Sequence, residues 1–505
     1  MPYVSRRAVL KGAAGLAALP LLGCSPQVRT QLPANLFTLG VASGEPAADG
    51  VVLWTRLAPD PLADDGLGGM PARAVDVEWE VADNEAFTRI VQRGVVTATP
   101  EFAHSVQVEL SGLNPGAEYF YRFRTGGDIS AAGRTRTAPD AASLAPMTMC
   151  FASCSHFEQG WFTAYRHLAE ENPDLVLQLG DYQYEYGPRD GGVRAHVGPE
   201  TVTLANYRQR YAQYKSDPDL QAAHAAAPWL VVFDDHELQN NWADEIPEKP
   251  QPDFRARRAA ALQAYYENMP LRSAAFPRGI DMQLYRRVGW GQLATFHMLD
   301  TRQYRTDQPC GDKFRADCAG RFDPSATLTG AEQERWLING FRESRARWNL
   351  LGQQVFFAGV ELKEGPATGV NPDAWDGYVA NRDRIIAGLV ASPVRNAVVL
   401  TGDVHSHWAA EISQRPGGRR IATELVTTSI SSGGDGGDTR EDTAAILPEN
   451  PHVKYFSNRR GYVRTRITPE QVTADFRTVP YVTRPGAPVQ TGKSFVIPDG
   501  VPQLT

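Results

Sequence analysis

The sequence predicts an all-β sandwich of immunoglobulin or fibronectin type III kind over residues 37–139, followed by a layered α/β domain over residues 147–480. Three observations carry this reading. The first region alternates apolar and acidic residues with a period of two, as a half-buried strand does. The second alternates short apolar runs with segments of helical spacing. Between them, residues 135–146 are rich in Ala, Pro and Thr, the composition of a linker.

Taken in order, the chain opens on an address. Arg6 and Arg7 precede an apolar stretch from Ala13 to Leu22, too short to span a bilayer and suited to a twin-arginine export signal over residues 1–24. Leu21-Leu22-Gly23-Cys24 resembles a bacterial lipobox, which makes Cys24 a candidate for lipidation and membrane attachment. The expectation is an exported bacterial protein, periplasmic or at the cell surface, that uses the twin-arginine export machinery. A basic N-terminus with a chance cysteine is the plainer alternative.

In the β region, Val51-Val52-Leu53-Trp54 is one strand, and Val75, Val77, Trp79 and Val81 alternate with Asp76, Glu78 and Glu80 in another. Leu113-Asn114-Pro115-Gly116 is a turn leading into the aromatic run Tyr119–Phe123. Repeated short strands broken by Gly, Pro and Asp are what a small sandwich requires. In the α/β region, apolar runs fall at Met149–Ala152, Leu175–Leu179, Trp229–Phe233, Leu293–Leu299 and Ala397–Thr401, and Phe162, Tyr165 and Leu168 recur at helical spacing. Gly461–Val479 reads as a closing hairpin, and residues 481–505, with their Pro and Gly, read as an irregular tail.

With 51 basic against 58 acidic residues, the net charge of −7 argues against a general binder of nucleic acid or anionic membranes. Five cysteines in 505 residues are too few for a disulfide scaffold. Cys310 and Cys318 flank a short polar stretch and can pair in an oxidising compartment. Cys150, in an apolar run, reads as simply buried.

Four clusters share one arrangement, an apolar strand running straight into metal-binding residue types. They are Phe151-Ala152-Ser153-Cys154-Ser155-His156, Gly180-Asp181-Tyr182-Gln183-Tyr184, Asp234-Asp235-His236-Glu237, and Gly402-Asp403-Val404-His405-Ser406-His407. In α/β folds, groups just past strand C-termini converge on one crevice. Any one cluster alone reads more easily as a turn or a solvated cap. All four in order, each after an apolar run, point to one site.

Their order and spacing resemble the calcineurin-like metallophosphoesterases, with two departures: Asp235 stands where that pattern has asparagine, and Asp403 where it has histidine. These replacements, with Cys154 in place of an acidic ligand, are similar to the alkaline phosphatase D (PhoD-like) family. The likeness extends through Val41-Ala42-Ser43-Gly44, Val52-Leu53-Trp54-Thr55-Arg56, Asn240-Asn241-Trp242 and Leu299–Arg305. It implies an α/β metallophosphoesterase layered sandwich. It further implies that Cys154, Asp181, Tyr184 and His405 hold Fe3+, and that Asp181 bridges to a Ca2+ site completed by Asp235 and Asp403. The residue chemistry agrees, since thiolate, phenolate and carboxylate together offset a trivalent charge. A site made only of carboxylates suits a hard cation, with Mn, Mg or Zn as alternatives to calcium.

The function expected is a secreted, metal-dependent phosphoesterase (alkaline phosphatase, on monoesters, diesters or both) in which metal-activated hydroxide attacks phosphorus. His236, beside Asp235, is the candidate proton donor to the leaving oxygen. Asn241, Arg302 and His156 are candidates for binding substrate. The competing readings are a turn cap for Asn240 and Asn241, an ion pair with a carboxylate such as Asp300 for Arg302, and an exposed loop histidine for His156. Gln354 stands roughly where related enzymes place a histidine ligand, and is not assigned as one. Small phosphate esters are the expected substrates, with nucleic acid entering only as a diester. Rival functions are a dedicated phosphodiesterase on nucleic-acid or lipid-derived diesters, a metal-stabilised binding lipoprotein, and catalysis by Ser153 or Cys154 as a free nucleophile.

Overall fold

Two sheets face one another, and their central strands are the apolar runs of the α/β region. The computed structural model describes residues 32–415 and 417–505; the export signal and Cys24 lie outside them. Met147–Ala152, Leu175–Leu179 and Pro228–Val232 are parallel neighbours near the centre of a nine-stranded sheet. Trp348–Gly352, Ala397–Thr401 and Arg420–Val426 are parallel neighbours in a seven-stranded sheet. Parallel strands covered on both faces need side chains that tolerate burial throughout, which is why they read as continuous apolar runs.

Alternate residues of the strands in the seven-stranded sheet serve different cores. Leu350, Val398, Leu400 and Leu425 face the first sheet and pack in one core with Phe151, Leu177 and Leu230. Leu351, Val399 and Val426 face the other way, into a core with Leu337, Phe341, Ile385 and Leu389 of the helices Gly330–Glu343 and Val379–Val390. Tyr165, Tyr207 and Tyr265, from the helices Thr163–Glu170, Leu204–Lys215 and Phe254–Asn268, join the first core. Each fully buried leucine in these layers contributes about 1.5–3 kcal/mol. Among the described residues, no helix is long and apolar enough to cross a membrane.

The N-terminal strands are divided between two sheets, and one of these continues into the α/β region. Val41–Ala47 pairs parallel to Pro228–Val232 through Ser43↔Pro228 and Gly44↔Trp229, and Gly50–Arg56 and Ser105–Glu109 follow as the outermost strands of the nine-stranded sheet. The remaining strands of this region form a five-stranded sheet around Val75–Ala82 and Glu118–Thr125. Gly44 makes the junction possible, because a Cβ there would lie 2.6 Å from the Pro270 carbonyl oxygen and 2.7 Å from that of Trp229. Trp54 seals it by donating its indole N–H to the Glu267 carbonyl at 2.8 Å.

The C-terminal segment departs from expectation. Gln490–Pro498 is an edge strand paired antiparallel to Gln471–Val479, and Phe495 and Ile497 reach the core. Its neighbours Pro485, Gly486, Pro488, Gly500 and Pro502 hid a short alternating run.

Candidate metal centre

The strands Met147–Ala152, Leu175–Leu179, Pro228–Val232 and Ala397–Thr401 end just before Cys154, Asp181, Asp235 and Asp403 respectively. At these ends the chain turns sharply: Cys154, Asp181, Asp403 and His405 have φ of 60°, 55°, 64° and 53°. Left-handed backbone is uncommon away from glycine, and its concentration at one place marks a constrained functional site. Gly180 lets two of the turns meet, since a Cβ on it would lie 2.4 Å from Cβ of Asp234. Cys154 N–H donates to the Gly180 carbonyl at 3.1 Å and Ser155 N–H to that of Asp181 at 2.9 Å. Glu237 fastens two loops at once, accepting from the N–H groups of Asp181, Tyr182 and Asp234 at 3.1, 2.7 and 2.9 Å.

Asp181 belongs to two groups of ligand-type side chains. Cys154, Asp181 and His405 offer atoms all within 4.8 Å of one another, and so do Asp181, Asp235 and His236. The Tyr184 hydroxyl donates to Asp181 Oδ2 at 2.8 Å, lies 3.1 Å from His405 Nε2, and accepts from Ser432 Oγ at 2.8 Å. Asp403 is half-buried on the far turn, near enough to Asp234, Asp373 and Asp235 to feel their charges.

The electrostatics describe a site short of positive charge. Burial, and then Asp181, pushes the Cys154 thiol well above its ordinary range. Burial also pushes up Asp181 and Asp403, reinforced by neighbouring carboxylates. His405 is pushed down to about 3 by burial and by the Arg460 guanidinium. Asp235 is the exception: burial opposes its charge, but Arg302 and His236 outweigh burial and hold it below the usual carboxylate range. Asp181 Oδ1 and Asp235 Oδ1 are buried without a hydrogen-bond partner. Buried carboxylate oxygens left so are costly, and a cation among them removes the cost. The donor set therefore fits metal ions.

A third group, His156, Glu158 and His196, also has ligand-type atoms within 4.8 Å. It is a poorer site, because both nitrogens of His196 are engaged, Nδ1 with the Tyr186 carbonyl at 2.8 Å and Nε2 with the Tyr214 hydroxyl at 3.1 Å.

Comparison with known proteins decides the family. The sequence model of the PhoD-like phosphatases matches residues 149–476, and that of their N-terminal domain matches residues 23–139. Alkaline phosphatase D of Bacillus subtilis (strain 168) is 51% identical over 471 residues, covering 91% of this chain and 80% of that protein. The chain belongs to the PhoD-like phosphatase family. It is accordingly a phosphoric ester hydrolase. A solved structure of PhoD superposes with a TM-score of 0.90 at 51% identity, covering 93% of this chain and 91% of that one. A purple acid phosphatase from yellow lupin seeds shares the fold at 12% identity, with a TM-score of 0.54 over 91% of this chain and 74% of that one.

In this PhoD-like phosphatase, the His236 ring lies tilted against that of Tyr184 with centroids 4.1 Å apart, and its Nδ1 lies 2.7 Å from Glu185 Oε2. Asn241 is half-buried beside the site; its N–H donates to Asp235 Oδ2 at 2.8 Å and its amide donates to the Asp312 carbonyl at 3.2 Å. Asp312 lies in the loop closed by the Cys310–Cys318 disulfide. His156 is buried rather than exposed, its ring 4.3 Å from that of Tyr184.

Arg302 is a correction. Its guanidinium is fully buried, donating to Asp234 at 2.6 Å and in bidentate fashion to Asp373 at 3.0 and 2.8 Å, with Asp235 at 3.8 Å. It is committed to three carboxylates beneath the site and presents nothing to a substrate. Asp300 takes only its backbone N–H, at 3.0 Å. Gln354 is likewise spent, accepting from Thr301 and donating to the Leu299 carbonyl at 2.7 and 2.9 Å. His407 accepts from Thr428 N–H at 3.1 Å and is structural.

Sequence reasoning did not single out Glu185, Ser432, Asp373 or Arg460 for the site. Glu185 had a local signal, since it follows Tyr184 directly. Ser432 and Asp373 arrive from distant segments with no pattern around them.

Proposed function

We propose that this phosphatase is an exported, metal-dependent enzyme acting on small phosphate esters, in which Cys154, Asp181, Tyr184 and His405 hold a ferric ion and Asp181, Asp235 and Asp403 hold calcium. The observation that carries this reading is the position of Asp181 in both buried ligand groups, with one carboxylate oxygen unpartnered. When bound, such ions supply a water of lowered pKa and positive charge for the phosphate oxygens. The chain does the rest. Glu185 and the Tyr184 ring fix His236 so that Nε2 is free to hold a proton for the departing alcohol oxygen. Arg302 keeps Asp235 ionised. Asn241, tied to Asp235 by its backbone N–H, spends its side-chain amide on the Asp312 carbonyl and so links Asp235 to the disulfide-closed loop.

The Cys310–Cys318 disulfide supports an oxidising compartment, in agreement with the twin arginines. On this reading Cys24 carries the lipid that attaches the protein to the membrane. Mass analysis of the mature N-terminus checks both.

The test of function is turnover of an aryl monoester and an aryl diester before chelation, after chelation, and after iron and calcium are restored. Activity that falls on chelation and returns with the metals supports the reading; activity indifferent to chelation refutes it. A rate confined to the diester identifies the dedicated phosphodiesterase instead.

A further inference from the structure

Asp403 and His405 are not only candidate ligands; both line a cavity of about 320 Å³. Its other walls are largely apolar, formed by Phe356, Val360, Leu362 and Trp408. A larger cavity of about 1080 Å³ has none of the metal-site residues on its wall, so the chemistry does not reach it.

The polar groups of the smaller cavity are mostly spent. Asp376 accepts from Val360 N–H and from Arg382, both at 2.8 Å, and Asn371 accepts from Asp373 N–H at 3.1 Å. Trp408 is held rigidly: its indole N–H donates to Ser406 Oγ at 2.9 Å, and its ring meets Phe356 and Phe456 edge-on at 5.5 and 4.7 Å. Arg440 lies over Phe456 and Trp408, 5.2 and 5.9 Å from the ring centroids, with its charge felt at His405. The result is a preformed, partly open slot, apolar on most of its wall, with a cation at its side and the candidate ligands Asp403 and His405 at its end. A rigid slot of this kind binds without an ordering cost.

We infer that this cavity seats the organic group of the ester, and that the enzyme selects phosphate esters bearing a ring-sized apolar group over those of short alkyl alcohols. The inference rests on phosphate binding at the metal centre as proposed above.

Non-hydrolysable phosphonates separate binding from leaving-group chemistry. The experiment is titration calorimetry of the metal-loaded enzyme with methylphosphonate and with phenylphosphonate. Burial of the ring predicts that phenylphosphonate binds at least about tenfold more tightly. Leu362→Trp, which fills the slot, brings the two affinities to within about threefold of each other. Leu362→Ala, which enlarges it, shifts the preference toward a naphthyl phosphonate, and a variant that unfolds is recognised by its melting curve. Equal affinities in the unaltered enzyme overturn the inference and leave the metal centre standing. Failure of both phosphonates to bind overturns the phosphate site itself.

Discussion

The Tyr184 hydroxyl donates its proton to Oδ2 of Asp181 at 2.8 Å, while the other oxygen of that carboxylate, Oδ1, is buried and unpartnered. Under the proposed assignment both groups would be metal ligands, and protons held on them would compete with the metal. Metal binding must release those protons, so retention of metal rises with pH across the titration of these groups. The rest of the site is arranged to hold this pair.

Ser432 is the outer support of Tyr184. Replacing it with alanine removes the donor to the phenolic oxygen while leaving every ligand-type side chain in place. Outer partners of this kind are worth about 10–100-fold in metal affinity or activity. Iron retained after dialysis, together with kcat, measures the loss.

His236→Ala separates proton donation from substrate binding. On a poor leaving group such as an alkyl alcohol, kcat falls by about 10²–10⁴-fold, and on p-nitrophenol it changes little. Equal losses on both substrates assign His236 to binding or to structure.

Arg302→Ala tests the corrected role of the arginine. Breaking a buried ion-pair network costs about 3–5 kcal/mol of stability, which thermal or denaturant unfolding reads directly. A residue that touched substrate would instead raise KM and leave the unfolding curve unchanged.

Glu424 gives a pH dependence away from the ligands. Burial pushes its carboxyl up to about 7, against the bonds it accepts from Thr401, Phe357 and Ala358. The folded protein thus holds this proton where the unfolded chain has lost it. Its contribution is fully present below the unfolded pKa and is lost as pH rises through the folded one. Relative to Glu424→Gln, the unaltered protein loses on the order of 3 kcal/mol between about pH 4.5 and 7, read from melting curves of the two proteins. A constant difference across that range contradicts the assignment.

The parts of the site legible in the sequence are those written locally. Cys154, Asp181, Asp235 and Asp403 each follow an apolar strand within a few residues, so strand grammar and residue chemistry coincide. What was not legible arrives across the chain: Ser432 reaches Tyr184 over 248 positions, and Asp373 reaches Arg302 over 71. Arg302 was misread for the same reason, because the carboxylates that claim it lie far from it in sequence. The fold shows the same division. The apolar runs and the closing hairpin are periodic over several residues, but the junction of Val41–Ala47 with Pro228–Val232 rests on two paired positions and one close-packed glycine. No local pattern announces such a contact.

The most direct test of the metal centre is elemental analysis of the mature protein alongside its visible spectrum, repeated on Tyr184→Phe. About one iron per chain with calcium is expected, together with a visible phenolate-to-iron band that disappears in the Tyr184→Phe protein. A folded, active, never-chelated enzyme without bound metal contradicts the proposed metal centre, and a band that survives Tyr184→Phe contradicts the assignment of Tyr184 as a ligand.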